Sequence, residues 1–301
     1  MRNRGWELSL NYRGKIGSDI NYSIGGSLSD ATAEATEYAN PTGTNPAGNW
    51  YEGRKVGEIW GYRASGIIQT QEEADEYNAK YNLSYLTGKA WEPGDVKYID
   101  LNGDNKIDRG DNNLNNMGDL TIIGNTTPRY QYTFNGSISY KDLSLSMMFQ
   151  GVAKRDWNPG TAPYFWGSGA YAQVTVFNEH MDYWREDNKD AYYPKPYIHS
   201  AGGVGPFRNK TMQTSDRYLQ SGAYCRLKNI TLSYNLPSTW VQKAGLQKVQ
   251  VFFSGENLLT FTSLKGMFDP EAIFTSNSYT GEGGKNYPMN KVVSFGLVVN
   301  L

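Results

Sequence analysis

The chain has 301 residues, of which 29 are Lys or Arg and 30 are Asp or Glu, so its formal net charge is -1. A chain this close to neutral has no bulk positive charge for nucleic-acid binding. Hydrophobic residues make up 39% of it, and no run approaches the ~20 apolar residues that a membrane-spanning helix needs. A membrane protein built from strands stays open, because lipid-facing and lumen-facing residues alternate along such strands and average to a hydrophilic composition.

The residue types point away from an enzyme and towards strands and loops. A single cysteine, Cys225, excludes an internal disulfide framework, and the distance between His180 and His199 argues against a histidine metal centre. The 33 glycines and 23 tyrosines suit twisted strands, long loops and interfacial aromatic residues. No apolar segment follows Met1, so we expect no signal peptide within these residues.

Period-two alternation of apolar and polar residues predicts seven strands. They cover about 6–13, 16–28, 129–140, 143–150, 224–236, 249–261 and 293–301. In the first strand Trp6, Leu8, Leu10 and Tyr12 form one face. Short and long connections alternate along the chain. The short ones are a tight turn at 14–15, another at 141–142 and a longer connection at 237–246. The long ones are loops at about 30–129, 151–222 and 262–290. Helix-like stretches are predicted at 71–80 and at 173–185.

The strict alternation of short and long connections is typical of outer-membrane barrels, which carry short periplasmic turns and long external loops. Aromatic residues stand near the strand ends, as expected for belts at two membrane interfaces; they are Trp6, Tyr12, Tyr130, Tyr140, Tyr224 and Tyr234. The interior of a large β-sandwich would show the same alternation. Seven strands are an odd number, whereas a bacterial barrel closes with an even number from eight upwards.

Seven blocks of residues resemble the SusC/RagA-type TonB-dependent transporters of the Bacteroidetes outer membrane. The blocks run through nearly the whole chain in the order and spacing of that family. They are GEIWGY with GIIQ (57–69), GDVKYIDLNGD (94–104), IGNTTPRY (123–130), FQG (149–151), YCRLKNITLSYNLP (224–237), GENLLTFT (255–262) and FDPE (268–271).

The resemblance implies an all-β fold, an antiparallel transmembrane β-barrel of about 22 strands of which this chain supplies the C-terminal strands. It implies an active nutrient importer about three times longer, in which a signal peptide, a TonB-contacting segment and a plug domain come first. We therefore expect Met1 to lie inside a larger protein. The implied partners are a SusD-like surface lipoprotein, the TonB complex, outer-membrane lipid and an oligosaccharide or peptide substrate. Two alternatives stay open, a passive porin-like channel and a soluble, calcium-stabilised glycan-binding β-sandwich.

The sharpest local pattern is an acidic loop between positions 100 and 111. Oxygen ligands are spaced as a Ca²⁺ loop requires, with a backbone carbonyl at the seventh position; the residues are Asp100, Asn102, Asp104, Lys106, Asp108 and Asp111. Asn105 replaces the usual turn glycine, and Asp111 replaces the usual glutamate. We expect a structural Ca²⁺ site, or one for Mg²⁺, with Ile107 packed inward. A solvated acidic turn is the alternative.

Aromatic residues in the second long loop are candidates for substrate contact, because aromatic faces stack on sugar rings or grip peptide side chains. They are Trp157, Tyr164, Phe165, Trp166 and Tyr171. Packing of the loops against one another or against a partner is the alternative for most of them. No nucleophile elbow, phosphate-binding glycine loop or catalytic acid pair is present, so the sequence does not predict an enzyme.

Overall fold

The computed structural model describes residues 1–160, 162–167, 176–197, 210–273 and 287–300. The strands are β1 (Arg2–Ile16), β2 (Ile20–Glu34), β3 (Glu58–Gly61), β4 (Ala64–Ile67), β5 (Val96–Tyr98), β6 (Thr121–Asn125), β7 (Arg129–Tyr140), β8 (Leu143–Lys154), β9 (Asp156–Trp157), β10 (Gln220–Ser221), β11 (Tyr224–Asn235), β12 (Lys248–Thr262) and β13 (Val292–Asn300). The α-helices are α1 (Gln71–Lys80), α2 (Pro163–Trp166) and α3 (Ser238–Lys243), and Asn178–Met181 is a 3-10 helix.

Seven antiparallel strands form one sheet in the order β1-β2-β7-β8-β11-β12-β13. All seven strands predicted from the alternation are present, and α1 matches the helix predicted at 71–80. Each neighbour in the sheet is also the next long strand in the chain, so the pairing is a simple up-and-down meander. The long connections at 35–128, 155–223 and 263–291 consequently leave the same end of the sheet.

The predicted turn at Gly14–Lys15 is wrong, because β1 continues to Ile16 and the chain turns at 17–19, where Gly17 has a positive φ of 63°. Gly14 is paired with Tyr22 of β2. A Cβ at Gly14 would stand 2.6 Å from the Tyr22 ring. This glycine therefore makes room for a cross-strand aromatic ring instead of a turn.

The two faces of the large sheet differ in polarity. On the outer face, large apolar side chains are exposed on all seven strands, among them Leu8, Ile24, Phe134, Leu143, Leu232, Phe253 and Phe295. The inner face carries hydroxyls and amides that bond across strands, as between Ser23 and Ser137 and between Ser27 and Thr133, both at 2.7 Å. In the described residues the other sheets have two strands each, and none covers the outer face. The arrangement is not the β-sandwich of the alternative.

Tyr224 departs from the predicted aromatic belt because β11 contains a bulge. The register shifts between Leu227 and Asn229 against both neighbouring strands. The extra residue reverses the alternation before it, so Tyr224 and Arg226 are buried while Tyr234 is exposed on the outer face. The other predicted belt residues, Trp6, Tyr12, Tyr130 and Tyr140, are exposed.

The three long loops pack together into what we call the loop layer, the described residues of 35–128, 155–223 and 263–291. Its hydrophobic core draws on all three loops and on none of the seven long strands. The first loop contributes Tyr62, Trp91 and Ile107, the second Phe165 and the third Phe268. No helix in the described part of the chain has the length and apolar character to cross a membrane.

Candidate functional site in the loop layer

The acidic loop lies between β5 and β6 with its backbone held by its own side chains. The Asp100 carboxylate accepts the amides of Gly103 and Asn105 at 2.7 and 2.9 Å, and Asp104 accepts that of Lys106 at 2.9 Å. Asn105 adopts the left-handed conformation, with φ 60°, in the place where a glycine is usual. Ile107 is fully buried in the core of the loop layer, as the sequence predicts.

Sequence reasoning missed Asp119, which closes this loop. Its buried carboxylate accepts the amide of Leu101 at 2.7 Å and that of Asp108 at 2.9 Å, and so joins both ends of the loop. Burial raises the pKa of Asp119, while these two amides oppose the rise. No spacing marks Asp119 in the sequence, because its partners lie 18 and 11 residues away.

The predicted cation ligands are near one another in the chain but do not form a ready-made cluster. Within the described ranges, no three Asp, Glu, His or Cys side chains are grouped to hold a metal ion. The outlying candidates bond elsewhere: Asp108 accepts the amide of Gly110 at 2.6 Å, and Asp111 accepts the Asn116 side chain at 3.0 Å. A cation site here stays a prediction.

Three of the aromatic candidates belong to the hydrophobic core. Trp157, Phe165 and Trp166 are each less than a tenth exposed and pack edge to face, with ring centroids 6.1 Å apart for the first pair and 5.0 Å apart for the second. Packing accounts for the burial of Trp157 and Phe165, whereas Trp166 also lines the cavity described below, and substrate contact by these residues stays a prediction. Tyr164 is partly exposed, and Tyr171 lies outside the described residues.

A cavity of about 230 Å³ opens beside His180, between segments of the second long loop. The helix predicted at 173–185 is present only as the 3-10 turn Asn178–Met181 in the described residues, and this turn forms one wall. Aromatic and sulfur-containing side chains share the lining of the cavity with polar ones: Trp166, His180, Met181, Tyr183, Tyr193 and Met212, and then Lys195, Tyr197 and Thr211. The His180 and Tyr193 rings meet edge to face with centroids 5.5 Å apart.

Hydrogen bonds on both ring nitrogens fix the tautomer of His180. Nδ1 accepts the amide of Phe177 at 3.0 Å, so it carries no proton, and Nε2 donates to the carbonyl of Tyr164 at 2.9 Å. Burial lowers the pKa of His180. A proton on Nδ1 would also point at the amide N–H of Phe177 and set two donors against each other. The neutral ring is therefore the form that fits this wall of the cavity.

A buried ion pair joins the first and second loops. Lys210 Nζ lies 2.8 Å from Asp95 Oδ2, both side chains are fully buried, and Tyr197 donates to Asp95 Oδ1 at 2.5 Å. Lys210 also donates to the carbonyl of Ala90 at 2.8 Å. Burial raises the pKa of Asp95, opposed by the lysine and the tyrosine hydroxyl. Sequence reasoning noted Asp95 only as part of a family block, because its partner is more than a hundred residues away.

A second charged group connects the sheet to the third loop. Arg226, turned inward by the β11 bulge, lies 2.7 Å from Asp269 and 3.2 Å from Glu271. Lys228 lies 2.8 Å from Glu271. The FDPE block thus supplies carboxylates for the basic residues of the YCRLKN block, a pairing that sequence reasoning did not make.

The known proteins to which this chain is similar in sequence include TonB-dependent receptors. No protein-family model matches the chain. Across 99% of its length the chain is 28% identical to TonB-dependent receptor P3 and 25% identical to TonB-dependent receptor P26, both of Formosa agariphila. It spans only 28% and 29% of the length of these two relatives.

Two solved structures also match 99% of the chain. They are the RagAB peptide transporter, with a TM-score of 0.64 at 22% identity, and the RagAB peptide importer in its open-open state, with a TM-score of 0.62 at 20% identity. The chain covers 29% and 28% of those chains. At these identities the likeness establishes the all-β, antiparallel fold.

Proposed function

We propose that this chain belongs to the SusC/RagA-type TonB-dependent receptors of the Bacteroidetes outer membrane, a family of transporters, and that it forms part of an active nutrient importer. The observation that carries the proposal is the outer face of the seven-stranded sheet, where large apolar side chains are exposed on every strand. In a bilayer that face lies against lipid, and the hydroxyl-rich inner face lines the lumen.

We infer that further strands complete the sheet into a barrel of about 22 strands around a plug. β1 and β13 are edge strands. Inside a bilayer each unsatisfied backbone group costs several kcal/mol, so both edges need a partner strand. The long loops would then face the cell exterior. There they would be capped by a SusD-like lipoprotein, and import of an oligosaccharide or peptide would draw energy from the TonB complex.

Uptake by intact cells tests this proposal. Cells expressing the full-length receptor take up its nutrient, and we expect deletion of TonB to abolish uptake while the receptor stays folded in the outer membrane. Uptake that persists without TonB would favour the passive channel. Affinity purification of the receptor from native membranes should co-purify a SusD-like lipoprotein, and its absence would count against the capped arrangement.

We also propose that the acidic loop binds Ca²⁺, or Mg²⁺, and so orders the first external loop. The left-handed Asn105 and the buried Ile107 support this, and Asp100 and Asp104 keep lone pairs beyond those used by amides. Calorimetry of the folded receptor should detect a bound divalent cation. Asp104→Ala should abolish it and make the loop protease-sensitive, whereas Asp187→Ala, at an exposed carboxylate, should change neither. If the two variants bound the cation equally and were equally resistant to protease, the proposal would be wrong.

A further inference from the structure

The short connection between β11 and β12 differs from the other two because it contains the helix α3. The connections at 17–19 and 141–142 are bare turns. The helix contacts β12, and its residue Val241 is only 3% exposed. The structure describes the helix, both strands that it joins and every residue between them. α3 is therefore docked against the sheet through an apolar side chain.

The position of α3 follows from the burial of Val249 near the start of β12. Val249 is 7% exposed, whereas Phe253, four residues on and so on the same face of the strand, is 44% exposed. The pairing with β13 runs without a register shift through this stretch and places the exposed Val299 beside Val249. An outer-face residue among exposed neighbours is thus covered, and α3 contacts β12 from outside the sheet. α3 therefore lies on the outer face, at the end of the sheet that carries the short connections.

Trp240 gives α3 a large uncovered apolar surface. The residue is 66% exposed, more than any other tryptophan of the chain. Tyr140 and Tyr234, which are also exposed, stand at the same end of the sheet. An indole ring has an apolar body and one N–H donor, and it prefers the boundary between hydrocarbon and headgroups in a bilayer. Lys243, exposed at the end of the helix, carries a charge that headgroup phosphates attract.

Lipid fits this surface better than a plug or water does. A plug inside the barrel cannot reach the helix, because the wall of the barrel lies between them. Water leaves the indole ring without an apolar partner. Resting on the lipid-facing sheet of the proposed function, we propose that α3 is an interfacial anchor, in which Trp240 lies among the phospholipid headgroups of the periplasmic leaflet and Lys243 reaches their phosphates. The test below separates lipid from a protein docked on the helix.

Depth-dependent fluorescence quenching tests the anchor in the full-length receptor, reconstituted into phosphatidylcholine vesicles. Trp240→Cys carries an NBD label in a cysteine-free background that includes Cys225→Ser. The vesicles contain lipid with a nitroxide either on the headgroup or near the end of an acyl chain. We expect the headgroup nitroxide to remove more of the fluorescence than the acyl-chain nitroxide. A label at Leu10→Cys, on the outer face of β1, should show the reverse order, and one at Glu52→Cys, exposed in the loop layer, should be quenched by neither lipid.

Three results at position 240 would overturn the anchor. Quenching by dissolved iodide and by neither lipid would place α3 in water. A label that no quencher reaches would assign the helix to a protein interface. Stronger quenching by the acyl-chain nitroxide would place it too deep for the headgroup region.

The label at position 10 separates the anchor from the proposed function. If the acyl-chain nitroxide quenches the label at position 10 and neither lipid quenches the one at position 240, the anchor fails and the membrane-spanning sheet stands. If the acyl-chain nitroxide leaves the label at position 10 unquenched, the outer face is not in lipid and the proposed function itself fails.

Discussion

In the loop layer a cluster of large apolar side chains is buried, whereas on the outer face of the seven-stranded sheet large apolar side chains are exposed. Trp91 and Phe165 lie in a core built by three loops, whereas Leu10 and Phe295 face outward from strands that no other described part of the chain covers. Burial of apolar surface drives folding only where the surroundings are water. With the outer face in lipid, as proposed, one chain is built for two solvents, and each region should respond differently to the same kind of substitution.

The largest effect is expected at the buried ion pair. Lys210→Met leaves Asp95 buried without its counter-charge, which typically costs about 3–5 kcal/mol. We expect the loss in the loop layer alone, seen as faster amide hydrogen exchange there and unchanged exchange in the seven strands. Lys189→Met, at an exposed lysine, is the control. Faster exchange throughout the sheet would show that the two regions are not independent.

A charge on the outer face tests the other region. Leu10→Arg places a guanidinium where lipid is expected, at a cost of about 2–4 kcal/mol near the bilayer midplane. Asn11→Arg, one residue on and on the opposite, inner face of the sheet, should be tolerated. The yield of folded, heat-modifiable receptor on semi-native gels measures both. Similar yields from the two variants would contradict the lipid-facing assignment.

The junction between the regions should show an intermediate effect. Asp269→Asn weakens the bond to Arg226, and a hydrogen bond to a charged group is worth about 1.5–3 kcal/mol. We expect faster hydrogen exchange confined to 263–273 and the adjoining end of β11. Asp187→Asn, at an exposed carboxylate, should leave hydrogen exchange unaltered. The same change in both variants would argue against a specific role for the Asp269–Arg226 ion pair.

The smallest effect is a pH dependence of the loop layer. The pKa of His180 is lowered in the folded state, so the unfolded layer binds more protons and stability falls as pH drops through about 6.5. Glu179 acts against the lowering and Lys265 adds to it. Protease resistance of the loops should fall between pH 7.5 and 5. His180→Phe, which keeps a ring in place, should remove that difference. If protease resistance of this variant still fell with pH as before, the pH dependence would come from other groups.

The alternation of Leu8, Leu10 and Tyr12 was enough to predict β1, because a strand with one apolar face has a period that sequence displays directly. The bulge near Lys228 was not predictable, since one extra residue in a ladder leaves no mark until both neighbouring strands are aligned. The aromatic candidates show a second limit. The loss of alternation placed Phe165 in a loop but could not show that loops about 100 residues apart would bury it.

The core shared by three loops has a consequence for the order of assembly. Tyr62, Phe165 and Phe268 belong to one cluster although about a hundred residues separate each from the next. Such distant contacts form late, because chain entropy opposes them until something else brings the segments together. The strands do this by fixing the six loop ends along one rim. We therefore expect pulse-labelled receptor to pass through a state with a heat-stable sheet and protease-sensitive loops, and loops protected before the sheet would refute that order.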